Sequence, residues 1–175
     1  MQAASKKHWK AGLKVLKFLR KTRDWGPTFQ KTGTMQLYAC ADSSYAGDEG
    51  DRRSVCGGAV MFAGAAIAWF SRTQEVVALS STEAEYMALG ECAKELLFLS
   101  NVLRFIHPLV GHSPLVLFED IMGAINLAES PSSSARSKHI DVRHHFLRQL
   151  VDDGVIELVA TPSSAQHADI LTKSI

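Results

Sequence analysis

The run Leu115-Val116-Leu117-Phe118 is apolar at every position and passes without a turn into Glu119-Asp120. An uninterrupted apolar strand is expected where both faces of a sheet are covered, which calls for helices packed on a sheet with parallel central strands. The segments around it agree. Met35 to Ala41 reads as a short strand that finishes at Asp42, followed by a polar loop from Ser43 to Arg53. Ser54 to Ala63 and Ala65 to Ser71 read as two strands joined around Gly64, the pattern of a hairpin. Ser80-Ser81-Thr82-Glu83 fits the S-x-x-E capping box, with Ser80 as N-cap and Glu83 reaching back to its amide. Ala84, Ala88, Cys92, Leu96, Leu99 and Leu103 continue at helical spacing until Pro108 and Gly111 close the element.

Beyond the apolar strand, Ile121 to Glu129 reads as a short helix and Ser130 to Ser134 as a turn or flexible loop. Lys138 to Asp152 reads as a helix rich in histidine and arginine, Val155 to Ala160 as a last strand, and Pro162 introduces a short helix from about Ala165. The expected order is a helix followed by β-β-β-α-β-α-α-β-α, which describes an α/β fold with a mixed sheet covered by helices. At 175 residues there is room for one domain with a proper core. With 46% apolar and 21% charged residues, disorder is not expected. No apolar run approaches the ~18 residues of a membrane span, and the lysine-rich N-terminus does not read as a secretory signal. Cys40, Cys56 and Cys92 are odd in number and far apart, so neither a disulfide framework nor a zinc site is expected and a reducing, intracellular compartment is favoured.

A net charge of +1 hides an asymmetry. Lys6, Lys7, Lys10, Lys14, Lys17, Arg20, Lys21, Arg23 and Lys31 are opposed in that stretch only by Asp24. Within it, Trp9, Leu13, Leu16 and Leu19 recur at helical spacing, predicting an amphipathic helix from Lys6 to Arg20 with one face to bury and one for solvent or phosphate. The remainder carries the compensating acids, a split that points to a nucleic-acid-facing segment beside something that needs carboxylates, or to a solvated helix face.

Those carboxylates fall at element ends. Asp42 closes the first strand, Glu83 and Glu85 lie in the first turn of the long helix, Glu119 and Asp120 follow the apolar strand, and Asp169 opens the last helix. The ends of parallel central strands form the usual ligand crevice of an open α/β sheet. Acids gathered there need a counter-charge, and a hard divalent cation supplies one. Two Mg²⁺ ions ~4 Å apart suit phosphodiester cleavage by an activated water. The capping box already employs Glu83, leaving Glu85 free. Spacing alone does not choose between Glu119 and Asp120.

Six stretches give the chain a resemblance. Ala41-Asp42-Ser43-Ser44-Tyr45-Ala46-Gly47-Asp48, then Arg52-Arg53-Ser54, then Val76 through Leu89 (V-V-A-L-S-S-T-E-A-E-Y-M-A-L) resemble the ribonuclease H domain of copia-type LTR retrotransposons. Ser137-Lys138-His139-Ile140-Asp141-Val142-Arg143-His144-His145-Phe146 and Ala168-Asp169-Ile170-Leu171-Thr172-Lys173 are similar to that family's later blocks, and His8-Trp9-Lys10 to the end of the reverse transcriptase connection. The resemblance implies a type 1 ribonuclease H fold over 34–175, a five-stranded mixed sheet of order 3-2-1-4-5 flanked by helices, with 1–33 as basic helix and linker. It implies cleavage of the RNA strand of an RNA/DNA hybrid with two Mg²⁺, or Mn²⁺ in their place. It also implies a reverse transcriptase polymerase domain as partner in the same polyprotein, and a place in the element's cytoplasmic virus-like particle. The family's four acids map onto Asp42, Glu85, Asp120 and Asp169, as catalytic residues and metal ligands. Ser43, Ser44, Ser81 and Thr82 are expected near the hybrid, and Arg136 and Lys138 against phosphate. The family commonly has C-D-N around its third acid where this chain reads Glu119-Asp120-Ile121, and tryptophan where Tyr45 stands.

Other readings compete. A binding domain that keeps the fold without turnover, serving as a polymerase scaffold, is suggested by the segment at Asp120 and by fragment-like ends at Met1 and Ile175. A related-fold transposase or integrase needs an acid triad of another layout, which nothing here favours. His139, His144 and His145 lack the i,i+4 spacing of a helical metal site, and His167, two residues before Asp169, is not assigned a role in product release.

Overall fold

Strand pairing starts from a tight turn. Ala63 and Gly64 both adopt positive φ (48° and 80°) and join β2 (Val55–Phe62) to β3 (Ala65–Thr73). Two such residues in succession match the twist of a two-residue hairpin. The computed structural model describes residues 4–29, 35–47, 50–108, 110, 114–129 and 141–173, without the side chains of 141–144. The expected loop at Ser130 to Ser134, the start of the histidine-rich helix, Gly111, Arg136, Lys138 and His139 lie outside the described residues.

The elements follow the expected order. Helix α1 (Lys6–Lys21) precedes β1 (Leu37–Ser44), β2 and β3; then come α2 (Ser81–Ile106), β4 (Leu115–Glu119), α3 (Met122–Glu129), α4 (Asp141–Asp152), β5 (Ile156–Ala160) and α5 (Asp169–Thr172). The five strands form one sheet in the order β3-β2-β1-β4-β5. The β1–β2 and β2–β3 pairs are antiparallel, while β1–β4 and β4–β5 are parallel. The C-terminal ends of β1, β4 and β5 therefore share one edge, where the acids lie.

Helix α2 supplies the main core layer. Tyr86, Leu89, Cys92 and Leu96 are buried against Ala39, Ala41, Val60 and Leu117 of the sheet, with Leu147 of α4 joining from the side. The Ser80 hydroxyl accepts from the Glu83 amide (3.1 Å), as the capping box predicts. The Glu83 carboxylate, however, accepts from the amide of Leu79 (2.8 Å), one residue upstream of the cap. All three cysteines are free and buried.

Four expectations need correction. Strand β1 does not stop at Asp42, because Ser43 and Ser44 stay paired with Cys56 and Val55. On β4 only Leu115, Leu117 and Glu119 are buried; Val116 and Phe118 are half-buried, Phe118 meeting Tyr38 edge-on at 5.6 Å. The last helix does not begin near Ala165: a 3₁₀ turn (Ser163–Ala165) comes first, and α5 starts at Asp169. Finally, α1 is amphipathic but buries nothing among the described residues; Trp9 is 72% exposed and Leu16 63%.

Candidate active site

Strand alternation sorts the carboxylates into two layers. Glu119 shares its face of β4 with Leu115 and Leu117, under α2, where Glu85 sits in the first turn. Asp42 lies on the opposite face of β1 from the core residues Ala39 and Ala41, covered by α5, whose Thr172 hydroxyl donates to its carboxylate. Asp120 follows β4 directly. Cys40 pairs with Phe118 across the parallel β1–β4 ladder, so Asp42 and Asp120, each two residues further on, arrive side by side.

The oxygens converge accordingly. Ligand atoms of Asp42, Asp120 and Asp169 lie within 4.8 Å of one another, and so do those of Glu85, Glu119 and Asp120. Asp120 belongs to both groups. All four acids expected from the sequence are thus brought together, and the structure adds Glu119. The floor of the cluster is sealed, with Asp42, Glu85 and Glu119 buried, and its rim is open, with Asp120 and Asp169 half-buried.

Several side chains fix these positions. Gln166 is buried; its Nε2 donates to the Ala41 carbonyl (2.8 Å) and its Oε1 accepts from the Ala168 amide (3.3 Å), tying the segment before α5 to β1. Ser71 Oγ donates to the Leu171 carbonyl at 2.6 Å. A Cβ on Gly57 would stand 2.7 Å from Thr172 Cγ2 and 3.0 Å from Leu171 Cβ, so the bare glycine is what lets α5 approach Asp42. Ser163 Oγ donates to Asp120 Oδ2 (2.8 Å), and Lys173 pairs with Asp169. Of these, Thr172 and Lys173 stood in the A-D-I-L-T-K block; Gln166 and Gly57 had no sequence signal, since their partners are distant in the chain.

Burial governs the electrostatics. Desolvation, then the Asp42 charge, pushes Glu85 up to about 8, with Ser43 working the other way. Glu119 is pushed up to about 9 by burial and then by Glu85, the Ile121 amide opposing. Asp42 is also raised, chiefly by burial, and Thr172 partly offsets this. Lys173 is raised by its bond to Asp169. Carboxyls whose ionised forms are this disfavoured call for a cation. Glu85 Oε2, Glu119 Oε2, Asp120 Oδ1 and Asp169 Oδ1 are all buried without a hydrogen-bond partner. Such orphaned oxygens suit a hard divalent ion, which takes carboxylate ligands.

The remaining expected residues differ in outcome. Ser43 and Ser44 are half-buried, Thr82 is half-buried and Ser81 exposed at the start of α2. His145 and His167 are exposed, and among the described residues no histidine joins a metal-ligand cluster.

A five-stranded mixed sheet of this order, flanked by helices, is the ribonuclease H fold. The N-terminal RNase H domain of a Mycobacterium tuberculosis protein superposes with a TM-score of 0.55 at 15% identity, covering 79% of this chain and 91% of that one. LC11-RNase H1 in complex with RNA/DNA hybrid superposes at 0.53 and 12% identity, covering 78% and 93%. By sequence, the chain is a homologue of plant copia-type retrotransposon Pol polyproteins. It is 37% identical over 176 residues to the retrovirus-related Pol polyprotein from transposon TNT 1-94 of Nicotiana tabacum, and 36% over 168 residues to that from transposon RE2 of Arabidopsis thaliana. The matches cover 100% and 96% of this chain but 13% and 12% of those polyproteins. No family model matches.

Proposed function

We propose that the chain is an endoribonuclease that hydrolyses the RNA strand of RNA/DNA hybrids during retrotransposon reverse transcription, using two Mg²⁺ ions for which Mn²⁺ can substitute. The observation that carries this reading is the meeting of Asp42, Glu85, Asp120 and Asp169, from four separate elements, with orphaned buried oxygens among them. These four acids are the proposed metal ligands and catalytic residues. Divalent ions held by these acids would supply an acidified water and stabilisation of negative charge on a phosphodiester.

The chain's own groups supply the positioning. Thr172 orients the Asp42 carboxylate, Ser163 holds one oxygen of Asp120, and Gln166 anchors the segment that carries Asp169. Lys173 neutralises Asp169 and keeps part of the acidic charge balanced before ions enter. The open rim at Asp120 and Asp169 admits a long polymer rather than enclosing a small molecule. Ser43, Ser44, Ser81 and Thr82 are proposed to contact the hybrid through sugar and phosphate, where 2′-hydroxyls and width distinguish RNA. Arg136 and Lys138 are proposed to add phosphate contacts.

Residues 1–33, with α1, are proposed to be the end of the polymerase connection region, and 34–175 the nuclease domain. The proposed partner is the polymerase domain of the same polyprotein, within a cytoplasmic particle. No helix among the described residues is long and apolar enough to cross a membrane.

The test is Mg²⁺-dependent cleavage of a labelled RNA/DNA hybrid by the wild type, Asp42→Asn and Glu85→Gln. The wild type is expected to cut the RNA strand, leaving 3′-hydroxyl and 5′-phosphate ends, and each variant to lose at least about a hundredfold while keeping its circular dichroism. Full activity in both variants overturns the assignment; hybrid binding without cleavage by the wild type leaves a binding scaffold instead.

A further inference from the structure

The Ile121 amide explains only half of Glu119. Its Oε1 accepts from that amide at 3.1 Å, which steadies the turn into α3. Its Oε2 is buried with no partner, although the residue is 0% exposed. A turn of this kind needs one acceptor, and a serine or asparagine would supply it without burying a second carboxylate oxygen. Buried polar atoms are normally paired, so the free oxygen calls for an explanation that the turn does not give.

Its neighbours provide one. Glu119 faces α2 by strand alternation, and ligand oxygens of Glu85, Glu119 and Asp120 lie within 4.8 Å of one another. Glu85 Oε2 and Asp120 Oδ1 are orphaned in the same way. Three carboxylates therefore converge, each with a buried oxygen that no donor satisfies. Nitrogen and sulfur ligands are absent from the group, which matches the oxygen preference of Mg²⁺ and Mn²⁺ and excludes a zinc-type set.

We propose that Glu119 is a fifth carboxylate of the site, joining Glu85 and Asp120 to hold one divalent cation on the α2 side of the sheet edge. This rests on the metal-dependent reading above and extends it, since Asp42, Asp120 and Asp169 form a second, separable group on the α5 side. Asp120 is shared by the two. The competing account is that Glu119 merely shares a proton with Glu85, and in that case its removal leaves cation binding intact.

The experiment is a Mn²⁺ titration of the full chain without substrate, read by the electron paramagnetic resonance signal of free Mn²⁺. The wild type is expected to bind two ions. Glu119→Gln is expected to weaken one of them by at least about tenfold, as loss of a ligand does, and to leave the other within about twofold. Asp169→Asn should weaken the other ion instead. Two-site binding unchanged by Glu119→Gln overturns this proposal while the metal-dependent reading stands; a wild type that binds no Mn²⁺ overturns both. If Glu119→Gln does not fold, the wild type labelled with ¹³C at glutamate carboxyls answers the question. Saturating diamagnetic Mg²⁺ should shift the Glu119 and Glu85 carboxyl signals together, and a Glu119 signal left in place beside a shifted Glu85 overturns the assignment.

Discussion

Glu85 and Glu119 hold protons in the folded chain that an unfolded chain has already released. An ordinary glutamate loses its proton near 4.5, whereas burial raises these two to about 8 and about 9. Between those limits the native state binds more protons than the unfolded state, so stability must fall as pH rises through that window. The slope for one such carboxyl is at most about 1.4 kcal/mol per pH unit. In chelator, the thermal midpoint is expected to drop from pH 5 to pH 8, and Glu85→Gln to flatten the decline because an amide stays neutral. A divalent cation replaces the proton, so adding Mg²⁺ should restore more stability at pH 8 than at pH 5. Equal midpoints across this range in chelator contradict the burial account.

Helix α5 shows how a short element can be placed by its neighbours. Four residues cannot hold a helix by propensity, so Gln166, the Ser71 bond to Leu171 and the bare surface of Gly57 do it. Gly57→Val adds branched carbons where a single Cβ already stands 2.7 Å from Thr172. Overpacking of this sort costs about 1–3 kcal/mol, and the cheapest relief is to push α5 outward. The variant should keep the sheet and lose Mn²⁺ affinity at the group containing Asp169, more than at the group containing Glu85; a titration of both ions checks this. The same element marks the boundary of what the sequence made legible. The Ser80 cap, the Gly64 hairpin and the order of elements were readable because their causes lie within a few residues. Asp42 was expected to end its strand because serines resemble loop, yet Ser43 and Ser44 remain paired since β2 offers Cys56 and Val55 opposite them. Glu119 could not be separated from Asp120 because strand parity has meaning only once the face under α2 is known. Gln166 was invisible, its partner Ala41 lying 125 residues away.

At the scale of the molecule, α1 stands apart from everything the core explains. It buries no residue, and its apolar side (Trp9, Leu13, Leu16, Leu19) remains exposed, so among the described residues it adds nothing to the buried core. Its charges are nevertheless ordered: Lys7, Lys10, Lys14, Lys17 and Lys21 recur at alternating spacings of three and four, which lines them along one side of the helix. A lysine stripe of this kind follows a phosphate backbone, and each phosphate neutralised releases counterions. Replacing all five lysines with glutamine should therefore leave the unfolding midpoint where it is. In the same variant, hybrid affinity should fall at low salt and depend less steeply on log[salt], by about 0.7–0.9 for each phosphate that is no longer neutralised. Fluorescence anisotropy with a labelled hybrid, run from low to moderate salt, measures both quantities. A slope unchanged by the five substitutions would show that the stripe faces only solvent, and that the hybrid is held by the sheet edge and its acids' metal ions without help from α1.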